Sequence, residues 1–176
     1  FEAALYPILL IALVLVVWAV AGLLHGSGFL AVYVAGVVVG NGRLPHHVTQ
    51  RGNRREPVFF CDGDCLSYLA WLDEYSHRHG TAILACCLMP NHVHLVVVPA
   101  HAHSLQRTFK PLHMRFAQRV NRMHGWIGHL WQGRFHSEPL TEGHLWNAVR
   151  YVELNPVRAG LVERAEDYVW SSAQGH

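Results

Sequence analysis

Charge is missing from the start of this chain. Residues 1–42 hold one charged side chain, Glu2, whereas everything after Gly42 is charged, mixed and rich in histidine. The overall hydrophobic content of 51% is therefore an average over two unlike parts. Acid is missing from a second stretch: between His101 and Ser137 there are six basic residues, six histidines and no Asp or Glu. Cysteine is scarce. Cys61, Cys65, Cys86 and Cys87 do not make a disulfide framework for 176 residues, and a reducing cytoplasmic setting is the expectation. Cys86 and Cys87 are neighbours in a strand and point to opposite faces. Cys61 and Cys65 can be drawn with His77 and His79 as a zinc site, but the spacing matches no common zinc pattern. No internal repeat or low-complexity tract is present, which excludes a solenoid or a disordered linker.

What the charge-free segment does contain is "YPILLIALVLVVWAVAGLL", Tyr6 to Leu24, nineteen uninterrupted apolar or small residues. As a helix this run is ~28 Å long, close to the ~30 Å hydrocarbon thickness of a bilayer. It is too long for a signal-peptide core and has no positive leader, so a membrane span is expected. A second apolar piece from Phe29, behind the breaker His25-Gly26-Ser27-Gly28, extends the candidate membrane contact to residues 6–39. Arg43, Arg51, Arg54 and Arg55 follow, which favours a cytoplasmic location for residues 44–176.

The segment "LLHGSGFLAVYVAGVVVGN" resembles part of the membrane domain of bacterial cation/proton antiporters. Forty residues cannot make a transporter, and no charge inside the run could carry ions. The expectation is a fragment, residues 1–42, joined near "NGRLPHH" to an unrelated domain, residues 44–176, whether by a true fusion or by an artefact of gene assembly.

The second part is mildly basic, with fourteen Lys and Arg against eleven Asp and Glu from Arg43 onward. The acid-free tract is the footprint of a phosphate-rich partner, although a solvated helix face would look the same. "HHVTQRG" reads as a strand ending at a turn. From Asp64 to His79, Tyr68, Leu69, Trp71, Leu72 and Tyr75 fall on one side at helical spacing, and Gly80 closes the helix. "TAILACCL" and "HVHLVVVP" are strands joined by the turn Met89-Pro90-Asn91. Leu105, Phe109, Leu112, Phe116, Val120 and Met123 form one apolar stripe, which Lys110-Pro111 is expected to break into a short and a longer helix. "HLWQGRFHSEPL" reads as a loop and strand. Thr141 then caps a helix that Pro156 stops near Asn155. The order β-α-β-β-α-β-α predicts an α+β fold, an antiparallel sheet with helices on one face.

Two observations bear on chemistry. In a strand, His92 and His94 project to the same face while Val93 and Leu95 project to the other. Two imidazoles at i and i+2 can bind one metal ion, or they can be a structural pair beside a His-rich surface. In the last helix Leu145, Val149 and Val152 form the buried stripe, which leaves His144, Asn147, Tyr151 and Asn155 on the polar side. A tyrosine hydroxyl, with a pKa of about 10, is a poor nucleophile toward a phosphodiester unless a cation polarises the phosphate. Two histidines and an amide oxygen make a three-ligand site with open positions, suited in use to Mg²⁺ or Mn²⁺. Arg115, Arg119 and Arg122 on the basic helix, with Trp131, Arg134 and Phe135 of "WQGRF", could hold a nucleic-acid strand by phosphate contacts and stacking.

"HHVTQRGNRREPVFF", "CLMPNHVHLVVVP", "GHLWQGRFHS" and "RYVELNPVRAGLV" resemble, in order, the signature blocks of REP-associated tyrosine transposases, members of the single-tyrosine HUH transposase superfamily. The likeness runs from residue 46 to the C-terminus. It implies a ferredoxin-like fold, a single-stranded or hairpin DNA partner drawn from a repeated palindromic element, and a divalent metal, Mg²⁺ or Mn²⁺. Position by position it implies His92, His94 and Asn155 as metal ligands and Tyr151 as the nucleophile that forms a 5′-phosphotyrosine link. Arg51, Arg54, Arg115, Arg119, Arg122, Trp131 and Arg134 are the candidate DNA contacts, and a monomer or homodimer is expected. The competing readings are a DNA-binding relative without activity and, from the N-terminal segment alone, a membrane transporter fragment.

Overall fold

A computed structural model of the chain describes residues 44–175. The expected membrane span and the second apolar piece lie outside them. Among the described residues no helix is long and apolar enough to cross a membrane.

The elements in chain order are β1 (His46–Arg51), α1 (Asp62–His79), β2 (Thr81–Met89), β3 (His92–Pro99), α2 (Ser104–His124), β4 (His136–Pro139), α3 (Glu142–Glu153) and the single turn α4 (Asn155–Arg158). The strands form one antiparallel sheet in the order β2-β3-β1-β4. This is the α+β layout that the pattern predicts.

One face of the sheet carries Val48, Leu88, Val93, Leu95 and Val97, packed with Tyr68 and Leu72 of α1 and Phe109, Leu112, Phe116 and Val120 of α2. Each of these large side chains, once fully buried, contributes roughly 1.5–3 kcal/mol of transfer free energy. Gly80 closes α1 in the left-handed conformation at φ 64°, with its N–H bonded to the Ser76 carbonyl.

Three expectations need correction. First, α2 is unbroken through Pro111. An interior proline costs about 3 kcal/mol; here Phe109 before it and Leu112 after it are both fully buried in one core, and that packing holds both halves in one continuous helix. Second, Pro156 does not stop the chain from turning. It lies at the start of α4, where a missing N–H is harmless, and Ala159 N–H donates to the Asn155 carbonyl at 2.9 Å. Third, the helices-on-one-face layout holds for α1 and α2, whereas α3 lies on the opposite face. There Val149 and Val152 pack with Ala85, Cys87, Met89 and Val96. The reason is in the strands: Ala85, Cys87 and Met89 of β2 and Val96 of β3 make an apolar patch on the second face that also needs cover.

The free edge of β2 is covered by the C-terminal segment. Leu88 N–H donates to the Trp170 carbonyl at 2.8 Å, and the Tyr168 hydroxyl donates to the Leu88 carbonyl at 2.7 Å. That pairing removes an exposed ladder of the kind that invites aggregation.

Candidate functional site

Among the described residues, α3 covers the second face over β2 and β3. Register then decides what stands beside α3. Opposite His94 on β1 is Thr49, opposite Val96 is His47, and opposite His92 is Arg51. On β4, His136 pairs with Thr49 and Glu138 with His47. Partners across an antiparallel pair share a face. One polar strip therefore holds His47, Thr49, Arg51, His92, His94, His136 and Glu138, bordered by the helix that carries Tyr151.

Within the strip the rings touch. His92 and His94 lie at 4.8 Å between centroids, and His47 stacks on His94 at 5.2 Å. His47 Nε2 and His94 Nδ1 are hydrogen-bonded at 3.0 Å. Tyr151 presents its ring edge to both, 5.8 Å from His94 and 5.9 Å from His47. The Arg158 guanidinium lies 4.8 Å from the centre of the same tyrosine ring, within the range of a cation–π contact. His94 is 7% exposed and Tyr151 is 41% exposed, so the phenol is open to solvent and the imidazole behind it is largely buried.

Burial pushes His92 down to about 4, with a smaller push from the Arg51 charge. Burial, followed by the neighbouring His92, His47 and Arg51, pushes His94 down to about 3. Both are neutral imidazoles at pH 7, the form that ligates metals. His92 Nδ1 is hydrogen-bonded to Asn91 Oδ1 and His94 Nδ1 to His47. Among the described residues neither Nε2 has a hydrogen-bond partner. The donor set fits a metal ion in this respect: two neutral, uncommitted ring nitrogens on one face. It is incomplete in another, because no three His, Cys, Asp or Glu side chains among the described residues are grouped to hold one. His47 does not supply the third, since its Nε2 is directed at the His94 ring. Asn155 lies at the start of α4, one turn beyond Tyr151. Its Nδ2 donates to the Tyr151 carbonyl at 3.0 Å, leaving Oδ1 as the atom available to an ion.

A cavity of about 350 Å³ opens beside the histidines, between Arg51, His92 and His94 on one side and Gln132, Arg134 and His136 on the other. A larger groove of about 940 Å³ runs along α2 past Lys110, His113 and Met114. Gln50, Gln132, Gly133 and Arg134 border both. Arg134 thus stands between the histidine cavity and the groove along α2.

The other candidate contacts separate clearly. Arg51 and Arg134 are exposed and line the histidine cavity, and Arg54 and Arg122 are exposed elsewhere. Arg115 is engaged in the α1–α2 interface, 3.1 Å from Glu74 and 4.4 Å from the centre of the Trp71 ring. Arg119 lies 3.6 Å from buried Asp64. Trp131 is 7% exposed and its Nε1 donates to the His113 carbonyl at 2.9 Å, so base stacking on it is corrected to a core role. The Cys61, Cys65, His77 and His79 zinc alternative also fails. Cys65 and His77 lie toward opposite ends of α1, and twelve residues of helix rise ~18 Å.

Sequence reasoning misses His47, His136 and Arg158. The doubled histidine at the start of β1 is visible, but its partner is not: which of His46 and His47 faces His94 depends on strand register, and pairing partners are not written locally.

The family described as "Transposase IS200 like" matches residues 42–155. A solved structure of a REP-associated tyrosine transposase bound to a REP hairpin superposes with a TM-score of 0.60, at 18% identity, covering 77% of this chain and 79% of that one. A candidate transposase from Deinococcus radiodurans R1 aligns with a TM-score of 0.46 at 21% identity, covering 63% of this chain and 89% of that one.

Proposed function

Because the chain belongs to the IS200-like transposase family, we propose that it cleaves and rejoins single-stranded DNA, with Tyr151 as nucleophile and a divalent cation, Mg²⁺ or Mn²⁺, held by His92, His94 and Asn155. The observation that carries this reading is the contact of Tyr151 with His94, which together with His92, Arg51 and Arg134 lines a cavity. When bound, the cation polarises the phosphate and offsets the charge that builds on it.

The chain's own groups do the rest. The Tyr151 oxygen attacks the scissile phosphorus and loses its proton. One P–O bond forms to the phenol, the bond to the 3′ oxygen breaks, and that oxygen leaves as a 3′-hydroxyl. The DNA remains joined through a 5′-phosphotyrosine. One phosphoester replaces another, so the reverse attack by that hydroxyl or another strand's rejoins DNA without an external energy source. Arg51 and Arg134 hold the flanking phosphates, and Arg158 over the tyrosine ring fixes its orientation. The related transposase with a REP hairpin supports hairpin DNA as the substrate.

A DNA-binding relative without cleavage is the second reading, favoured by the described residues' lack of three grouped His, Cys, Asp or Glu side chains. Incubating the full chain with single-stranded hairpin DNA and Mg²⁺ or Mn²⁺ distinguishes the two. A protein–DNA adduct on a denaturing gel is expected. Hairpin binding with no adduct under either ion leaves the inactive reading standing.

A further inference from the structure

Each imidazole of the pair is tied at its Nδ1 by a different neighbour. Asn91 lies in the turn between β2 and β3. Its Nδ2 donates to the Arg55 carbonyl at 2.8 Å. A carbonyl only accepts, so the amide orientation is fixed and the oxygen, itself only an acceptor, is the atom that meets His92 Nδ1. His92 must therefore carry its proton on Nδ1, and its Nε2 keeps a free lone pair.

The Arg55 carbonyl is itself held firmly. Arg54 and Arg55 both adopt left-handed backbone, at φ 54° and 63°. Side chains rarely stay there unless the surroundings over-determine the conformation. Here Gly52 N–H donates to the Asn91 carbonyl at 2.8 Å, Asn53 N–H to the Leu130 carbonyl at 2.8 Å, and Val58 N–H to the Pro90 carbonyl at 2.8 Å. The turn that presents the arginines and the turn that presents His92 are one braced unit.

His94 is tied by His47. The two rings stack with 13° between their planes, and His94 Nδ1 meets His47 Nε2 at 3.0 Å. Glu138 stands directly across β4 from His47. A proton on His47 Nδ1, the ring nitrogen outside the His94 bond, leaves Nε2 to accept from His94. His94 is then in the same tautomer as His92.

We infer that Asn91 and His47 are positioning residues that fix both imidazoles in the Nδ1–H tautomer and so present two Nε2 lone pairs to one divalent cation. The inference rests on His92 and His94 being the metal ligands. No local pattern signals it: Asn91 reads as a turn residue and His47 as one of fifteen histidines.

The test uses the full chain and Mn²⁺ itself. Asn91→Leu and His47→Leu remove the acceptors; Asn91→Asp and His47→Gln retain an acceptor oxygen and guard against a simple folding failure. Two readouts are taken: imidazole ¹⁵N shifts of His92 and His94 without metal, and Mn²⁺ affinity by electron paramagnetic resonance. Wild type is expected to show the Nδ1–H tautomer at both rings. Each leucine variant is expected to mix tautomers at its own partner ring and to bind Mn²⁺ about 10–100-fold more weakly. The Asp and Gln variants should recover most of that affinity. An Nε2–H tautomer in wild type overturns the inference, as do leucine variants with unchanged tautomer and affinity, even with the metal site intact. Wild type that binds no Mn²⁺ removes the metal-ligand reading and this inference with it.

Discussion

His94 on β3 and Tyr151 on α3 lie edge to face, with 5.8 Å between ring centroids and 85° between planes. Two forces set that contact. The alternation of β3 sends Val93, Leu95 and Val97 toward α1 and α2 and leaves His92 and His94 on the other face. The apolar stripe of α3 seats Val149 and Val152 on β2 and β3, which swings Tyr151 to the helix edge, over the histidines. Removing either apolar pattern would separate the rings.

Replacing His92 or His94 by Ala removes one of the two neutral imidazoles whose Nε2 has no hydrogen-bond partner among the described residues. Either variant is expected to lose metal-dependent cleavage of hairpin DNA while metal-free hairpin affinity stays within a few-fold of wild type. Cleavage at the wild-type rate in the double variant would exclude the pair as ligands.

The arginines should divide into two classes. Arg51→Ala and Arg134→Ala, at the cavity, are each expected to weaken hairpin binding and to lower the slope of log affinity against log salt by about one. Arg115→Ala should leave both unchanged, because that guanidinium is held by Glu74 and Trp71. Fluorescence anisotropy over a salt series reads both quantities. Equal slopes for all three variants would contradict the division.

His113 is 5% exposed, hydrogen-bonded to the Tyr68 hydroxyl at 3.0 Å, and pushed by burial down to about 3. Its ordinary value is 6.5, so between those two values the unfolded chain binds a proton that the fold excludes. Stability from this group is full above about pH 6.5 and falls as pH drops toward 3, by at most about 1.4 kcal/mol per pH unit. In urea unfolding, the stability gap between wild type and His113→Gln is therefore expected to narrow by about 2 kcal/mol from pH 7.5 to pH 5. A gap that does not change with pH would contradict a neutral buried His113.

Gly52 has an ordinary φ of −61°, so its constraint is space rather than backbone. A Cβ there would press on the Glu56 carbonyl oxygen and lie 2.7 Å from Val58 Cγ1. Gly52→Ala is expected to destabilise the fold by about 1–3 kcal/mol and to displace the arginine turn, weakening hairpin binding as well. A variant with wild-type melting temperature and affinity would show that the turn has room to relax.

Much of the site is legible in the amino-acid sequence. Strand alternation places His92, His94 and Val93 on their proper faces, and helical spacing puts Val149 and Val152 inward with Tyr151 at the polar side. What stays hidden depends on partners distant in sequence. Whether Pro111 breaks a helix is decided by the buried residues on either side of it. Whether Trp131 is a stacking platform or a core residue depends on His113 and Phe116 beneath it. Arg115 and Arg119 look like free cations until α1 brings Glu74 and Asp64 against them. His47 becomes part of the site only through the register of β1 on β3.

The most direct measurement compares wild type with Tyr151→Phe, which keeps the ring and its contacts with His94 and His47 and deletes one oxygen. Each is incubated with single-stranded hairpin DNA and Mn²⁺, and the products are digested and mapped by mass spectrometry. Wild type is expected to yield a nucleotide-bearing peptide modified at Tyr151, while Tyr151→Phe binds the hairpin and yields none. An adduct that persists in Tyr151→Phe, or that maps to another residue, would contradict the assignment of the nucleophile.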